Sequence, residues 1–164
     1  MELAASSNSR LTHDRPGIIG RVTELGRRAI AGLDFLSPVI DLAIRAYVAS
    51  VFFQSGMVKI ANWSGTLALF QNEYHVPLLP PVVAAYLGAG AELGLPILLL
   101  LGLGTRAAAI ALFVFNIVAV ISYPDLSDVG LMEHKYWGLL ILITIFHGPG
   151  KLSLDHFLSH RYFQ

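Results

Sequence analysis

The chain contains no cysteine. That excludes disulfides, iron–sulfur ligation, thiolate metal sites and any thiol redox chemistry of its own. Charge is also scarce. Asp, Glu, Lys and Arg together make up 13% of the 164 residues, against roughly 25% in an ordinary soluble domain. Neither sign is in excess, since 11 basic residues face 11 acidic ones. A basic nucleic-acid-binding domain is therefore not expected, and the composition is far too apolar for disorder. No P-loop, nucleophile elbow or dinucleotide fingerprint is found, and no His/carboxylate spacing suits a metal. Gly102-Leu103-Gly104 reads as a tight turn between helices rather than a phosphate cradle.

Apolar residues fill the space that charge leaves. They make up 55% of the chain, and the mean hydropathy is +0.64. The length allows one domain. A bilayer-crossing helix needs about 20 mostly apolar residues. Residues 38–60 qualify with Asp41, Arg45 and Lys59 as internal charges, 81–103 with Glu92 alone, and 106–123 with none. The run 136–146 is too short by itself. It reaches spanning length by starting near Val129 and carrying Glu133, His134 and Lys135 into its outer end. The expected fold is an all-α integral membrane bundle of four helices, with no cleavable signal peptide ahead of the first apolar run.

Basic residues mark the cytoplasmic side. Arg10, Arg15, Arg21, Arg27 and Arg28 precede the first span, Arg106 follows the second, and Lys151 and Arg161 follow the fourth. The other connections carry Glu73, Asp125, Asp128 and Glu133. Both termini are thus expected in the cytoplasm. Three regions follow: an N-terminal segment 1–36, a membrane domain 37–150 and a cytoplasmic tail 151–164.

Two further helices are expected. Ile18, Val22, Leu25, Ala29 and Leu33 recur at helical spacing opposite Arg21, Glu24, Arg27 and Arg28. This predicts an amphipathic helix at about 16–34 on the inner leaflet, capped by Asp14 with Pro16 in its first turn. Ser37-Pro38 would then restart the chain as a new helix. Between the first two spans, Trp63, Leu67, Phe70 and Tyr74 predict a short interfacial helix with Ser64 available as cap, and Pro77, Pro80 and Pro81 end it and start the second span.

Ionisable groups inside a bilayer cost about 2.5–3.5 kcal/mol on insertion scales and are functional candidates for that reason. Measured from the inner ends of their spans, Arg45 lies roughly 10 Å deep, Glu92 roughly 16 Å and Asn116 near 15 Å. An Arg45–Glu92 pair with Asn116 nearby is expected. Its alternative is a local pair of Arg45 with Asp41, leaving Glu92 protonated beside a kink at Pro96. Arg45, Phe52, Gly56 and Lys59 share one helix face, and Lys59, Glu133 and His134 form a candidate outer polar site.

Arg45 through Lys59 (RAYVASVFFQSGMVK) resembles the first helix of the DoxX family. The similarity continues through Val76-Pro77, Glu92-Leu93-Gly94, Leu101 to Ala108, His134, Trp137 and the closing 148–155, and covers roughly residues 40–157. The resemblance implies a four-helix bacterial inner-membrane bundle. Relatives linked to thiosulfate oxidation with quinone as acceptor, or to membrane redox complexes, imply an accessory or subunit of a membrane redox system. Such a protein binds a quinone or similar small amphiphile and works with a redox partner protein or further copies of itself. In that reading Arg45 and Glu92 set the charge of the site, Asn116 donates a hydrogen bond and His134 shuttles protons. A non-enzymatic membrane scaffold and a small-solute transporter built on Glu92 beside Pro96 are the alternatives.

Overall fold

The computed structural model describes residues 18–162, and every regular element among them is helical. Asp14 and Pro16, expected to open the first helix, lie outside the described residues. In chain order the elements are α1 (Ile18–Ala61), α2 (Trp63–Asn72), α3 (Pro81–Leu101), α4 (Thr105–Ser122), α5 (Asp128–His147) and α6 (Leu154–Tyr162). Four of them, α1, α3, α4 and α5, are long and apolar enough to cross a membrane.

The first difference from expectation is at Pro38. The helix does not restart there but runs through it as part of α1. Proline cannot donate to the carbonyl of Asp34. A single lost bond is tolerated where the rest of the ladder is intact. The chain divides into two compact units, Met1–Phe35 and Leu36–Gln164. In the first, Glu24 holds Arg27 at 2.7 Å and Arg28 at 3.0 Å along the helix surface, and Val22, Leu25 and Leu33 are exposed.

The second unit holds the bundle. Helix association inside a bilayer gains little from the hydrophobic effect and depends on close packing and polar contacts. One core cluster joins Val48 and Phe52 of α1, Leu99 of α3, Ala109 and Leu112 of α4 and Ile141 of α5. The Phe52 ring meets Trp137 and Phe115 edge-on, with centroids 5.8 and 6.3 Å apart. A second cluster seats Phe70 of α2 on the small residues Ala84 and Ala85 of α3. A Cβ added to Gly88 would stand 3.3 Å from the Phe70 ring, so the small-residue stripe of α3 is what admits α2. The α2 cap is Asn62 rather than Ser64. The Asn62 side chain accepts from Gly65 N at 3.1 Å, and Ser64 Oγ only supports it from 3.3 Å.

Short connections make successive spans antiparallel. The α3–α4 turn uses Gly102 and Gly104, both in the left-handed region (φ +68° and +56°), where only glycine is unstrained. The bundle therefore has an α2 end and an opposite end carrying this turn and the tail. At the tail end the chain continues into α6, a helix not expected from the sequence, whose first residues fold back on the turn. Asp155 N donates to Gly102 O at 2.9 Å.

Candidate functional site

Three buried polar clusters lie along the bundle, two toward the α2 end and one at the tail end. In the first, Lys59 reaches from α1 to Glu92 of α3, with Nζ 2.8 Å from Oε1 and 2.7 Å from Oε2. Ser55 links the two, accepting from Lys59 Nζ at 3.0 Å and donating to Glu92 Oε1 at 3.2 Å. The helical register explains the cluster, because Ser55 and Lys59 are one turn apart on the face that meets α3. Gly56, on that same face, allows the approach. A Cβ there would fall 2.9 Å from the Leu93 side chain and 3.1 Å from Glu92 Cβ.

The second cluster joins α4 and α5. Asn116 Nδ2 donates to the His134 carbonyl at 3.0 Å, and His134 Nδ1 lies 2.7 Å from Asn116 Oδ1. The carbonyl contact orients the amide, so Oδ1 is the acceptor and Nδ1 carries the proton. The ring also packs edge-on against Trp137 at 4.8 Å.

The third cluster, at the tail end, replaces the expected Arg45–Glu92 pair. Arg45 is almost completely buried, and its Nη1 donates to Leu99 O at 3.3 Å while Nη2 donates to Leu152 O. Glu92 is a carboxylate committed to Lys59, two turns of α3 away from Leu99. The guanidinium instead adds a donor to the Leu99 carbonyl, which otherwise accepts only from the cap Gly102 N at 3.2 Å at the negative end of the α3 dipole, and bonds the Leu152 carbonyl of the tail. Asp41, the alternative partner, instead meets His147, its Oδ1 accepting from Nδ1 at 3.0 Å. The expected role of Arg45 in setting site charge is corrected accordingly.

Asp155 was not anticipated as a site residue. Its Oδ1 accepts from Gly104 N, and its Oδ2 accepts from Thr105 N and Thr105 Oγ1, each at 2.8 Å. Partial burial alone would raise the Asp155 carboxyl. The hydrogen bonds from Thr105 and Gly104, and the charge of Arg45, hold it below the usual carboxylate range. A signal for this cap is present in the sequence: α4 begins after Gly104, which has no side chain to accept from the first N–H groups.

The first two clusters open on one cavity of about 590 Å³, a size common for small-molecule sites. Lys59, Glu92 and His134 line it, while Asn116 stands behind His134. Glu133 does not line it, because the residue is exposed on the other side of α5, so the expected outer site keeps Lys59 and His134 and loses Glu133. Most of the remaining wall is apolar: Val51, Leu95, Ala111, Phe115 and Val118 among others. Tyr74, Tyr123 and Ser122 close the α2 end. The two tyrosine rings meet edge-on at 5.0 Å, and His75 N donates to Ser122 O at 2.7 Å. Burial pushes the Tyr74 phenol up, helped by Tyr123, so this rim stays uncharged.

Comparison with known proteins agrees with this architecture. The DoxX family model matches residues 40–124. An uncharacterized protein of Haemophilus influenzae is 33% identical over 135 residues, covering 77% of this chain and 87% of the relative. The inner membrane protein YphA of Escherichia coli is 32% identical over 130 residues, covering 72% of this chain and 89% of the relative. No solved structure matches.

Proposed function

We propose a function from one premise: the chain belongs to the DoxX family. The protein is a multi-pass protein of the inner membrane that binds a quinone or a similar small amphiphile between its helices. It serves as an accessory or subunit of a membrane redox system. The location is supported by the four apolar helices and by the relative named as an inner membrane protein. The tail end faces the cytoplasm, because Arg106, Lys151 and Arg161 lie there while Glu73 and Asp125 belong to the opposite connections. The amphipathic helix of the N-terminal unit, with Val22, Leu25 and Leu33 exposed opposite its arginines, suits attachment to anionic lipid.

The observation that carries the reading is the cavity. It is apolar over most of its wall, interrupted by an ion pair and an imidazole at defined positions. That pattern suits a ligand with an apolar body and a small polar head. The chain has no cysteine for thiol redox chemistry, so electrons would pass between the bound ligand and a partner protein. Mass spectrometry of lipid-soluble molecules retained after gentle detergent extraction tests the proposal. The native chain is expected to retain a quinone or related amphiphile, and Val118→Trp, which fills the cavity, is expected to lose it without a change in melting temperature. Native protein that carries no amphiphile but holds a stable protein partner would overturn the reading in favour of a scaffold.

A further inference from the structure

The polar groups of the cavity are unequal in what they can still bond, and the inequality restricts the ligand. Lys59 Nζ already has three oxygens within 3.0 Å, Glu92 Oε1, Glu92 Oε2 and Ser55 Oγ. Two of its protons are directed at Glu92 Oε1 and Ser55 Oγ, and its charge is matched by the same carboxylate. The ion pair is closed on itself, and a charged ligand would bring an uncompensated charge into an apolar wall. A neutral head is required.

Accepting positions, by contrast, are left over. Glu92 Oε2 receives the lysine charge at 2.7 Å but no aligned hydrogen bond. Ser122 Oγ, on a residue only 4% exposed, has no partner among the described residues and, as a hydroxyl, can accept as well as donate. In the neutral imidazole the proton sits on Nδ1, held by Asn116, so His134 Nε2 presents a bare lone pair. A head with only carbonyl oxygens would set acceptor against acceptor at Nε2, whereas a hydroxyl supplies the missing donor.

The route of entry also follows from the lining. Leu87 of α3 and Val114 of α4 both line the cavity, yet they are 57% and 53% exposed on the lipid-facing side. The gap between α3 and α4 therefore connects the cavity to the hydrocarbon region, where an amphiphile is already dissolved.

We infer that the cavity takes a neutral, hydroxyl-bearing amphiphile, an alcohol or phenol drawn from the bilayer between α3 and α4, with its hydroxyl donating to His134 Nε2. This rests on the reading that the cavity binds an amphiphile, and it narrows that reading to the hydroxyl form over the carbonyl form.

The test uses the full chain in phosphatidylcholine vesicles with Trp63→Phe, so that Trp137, in the cavity wall, is the sole tryptophan. The probes are 4-nonylphenol and its methyl ether, 4-nonylanisole. The phenol is expected to change Trp137 fluorescence saturably and to bind about tenfold tighter than the ether, the worth of one buried hydrogen bond. Asn116→Leu with His134→Leu, which leaves no orphaned amide, should reduce phenol binding to that of the ether. Nitrogen-15 NMR of histidine-labelled native chain reads the same atom without a variant: the phenol should shift the unprotonated Nε2 resonance of His134 and the ether should not. Equal binding of phenol and ether, or an Nε2 resonance that the phenol leaves in place, overturns the inference and leaves the amphiphile reading standing. Failure of both probes to bind removes the amphiphile reading itself.

Discussion

The two ends of the bundle bury charge in opposite ways. Toward the α2 end, Lys59 and Glu92 neutralise each other side chain to side chain in the wall of a cavity. At the tail end, Arg45 is bound to the carbonyls of Leu99 and Leu152, and Asp155 to the N–H groups of Gly104 and Thr105. Charges matched to each other can exchange partners by a rotamer change, with space beside them for a ligand. Charges matched to the ends of helices are as immobile as the helices, because the groups they satisfy are backbone groups fixed by the fold. The tail end is a clamp: Arg45 ties α1, α3 and the tail together, and Asp155 closes the α3–α4 turn. The α2 end is where the molecule has room to act. Intramembrane charge therefore marks two different things in one small protein, and only the partner tells them apart.

Removing Arg45 should produce the largest effect and break the comparison most directly. Arg45→Met keeps length and removes the charge, but it leaves the Leu152 carbonyl without its donor and the Leu99 carbonyl with only its bond from Gly102 N. A loss on the order of 3–5 kcal/mol is expected, visible as a large drop in the detergent melting temperature and as proteolytic release of the tail. Ligand binding measured below that temperature should be unchanged. A variant that melts normally but loses ligand would make Arg45 part of the site and erase the distinction between the ends.

The Lys59–Glu92 pair comes next. Glu92→Gln leaves Lys59 without its counter-charge and should cost about 1.5–3 kcal/mol, less than Arg45→Met because Lys59 is still 18% exposed and its head can move toward the rim. Lys59→Met combined with Glu92→Gln should recover most of the loss. Arg45→Met combined with Glu92→Gln should instead be additive, since those residues share no partner. Thermal melts of the two double-mutant cycles check both statements, and coupling in the second cycle would restore the pair expected from sequence.

That contrast shows what could be read from the chain and what could not. The spans, α2 and the shared face of Arg45, Phe52, Gly56 and Lys59 follow from hydropathy and from 3.6-residue spacing, and each is found where it was expected. The partner of Arg45 does not follow. Depths counted from the ends of apolar runs assume that buried charge seeks opposite charge. The carbonyls of Leu99 and Leu152 are backbone groups, and no residue type announces them. Glu133 was misplaced for a related reason. Adjacent residues on a helix point about 100° apart, so His134 and Glu133 cannot both face the cavity. The continuity of α1 through Pro38 was hidden because a proline after serine is an equally good first residue of a helix. Asp155 was legible in principle, from a helix start at Gly104 that lacks its own cap.

Asp155 gives the smallest and most specific prediction. Its carboxylate accepts three hydrogen bonds at the start of α4, where the helix dipole favours negative charge. Asp155→Ala should cost about 1 kcal/mol, the usual worth of a lost cap, well below the Arg45 effect because the turn retains Gly102 and the Arg45 bonds. The loss should depend on pH in one direction. The folded-state pKa lies below the ordinary value, so the folded protein binds the proton less readily than the unfolded chain does. The contribution is then complete at neutral pH, begins to decline as pH falls past the ordinary aspartate value, and is lost once pH drops through the depressed folded-state value. Melting temperatures of the native chain and Asp155→Ala should differ by a constant amount from pH 8 down to about pH 5 and converge in stronger acid. A difference that persisted unchanged in acid would mean that the side chain acts by packing alone, and the tail end would then be held by Arg45 without help from a second charge.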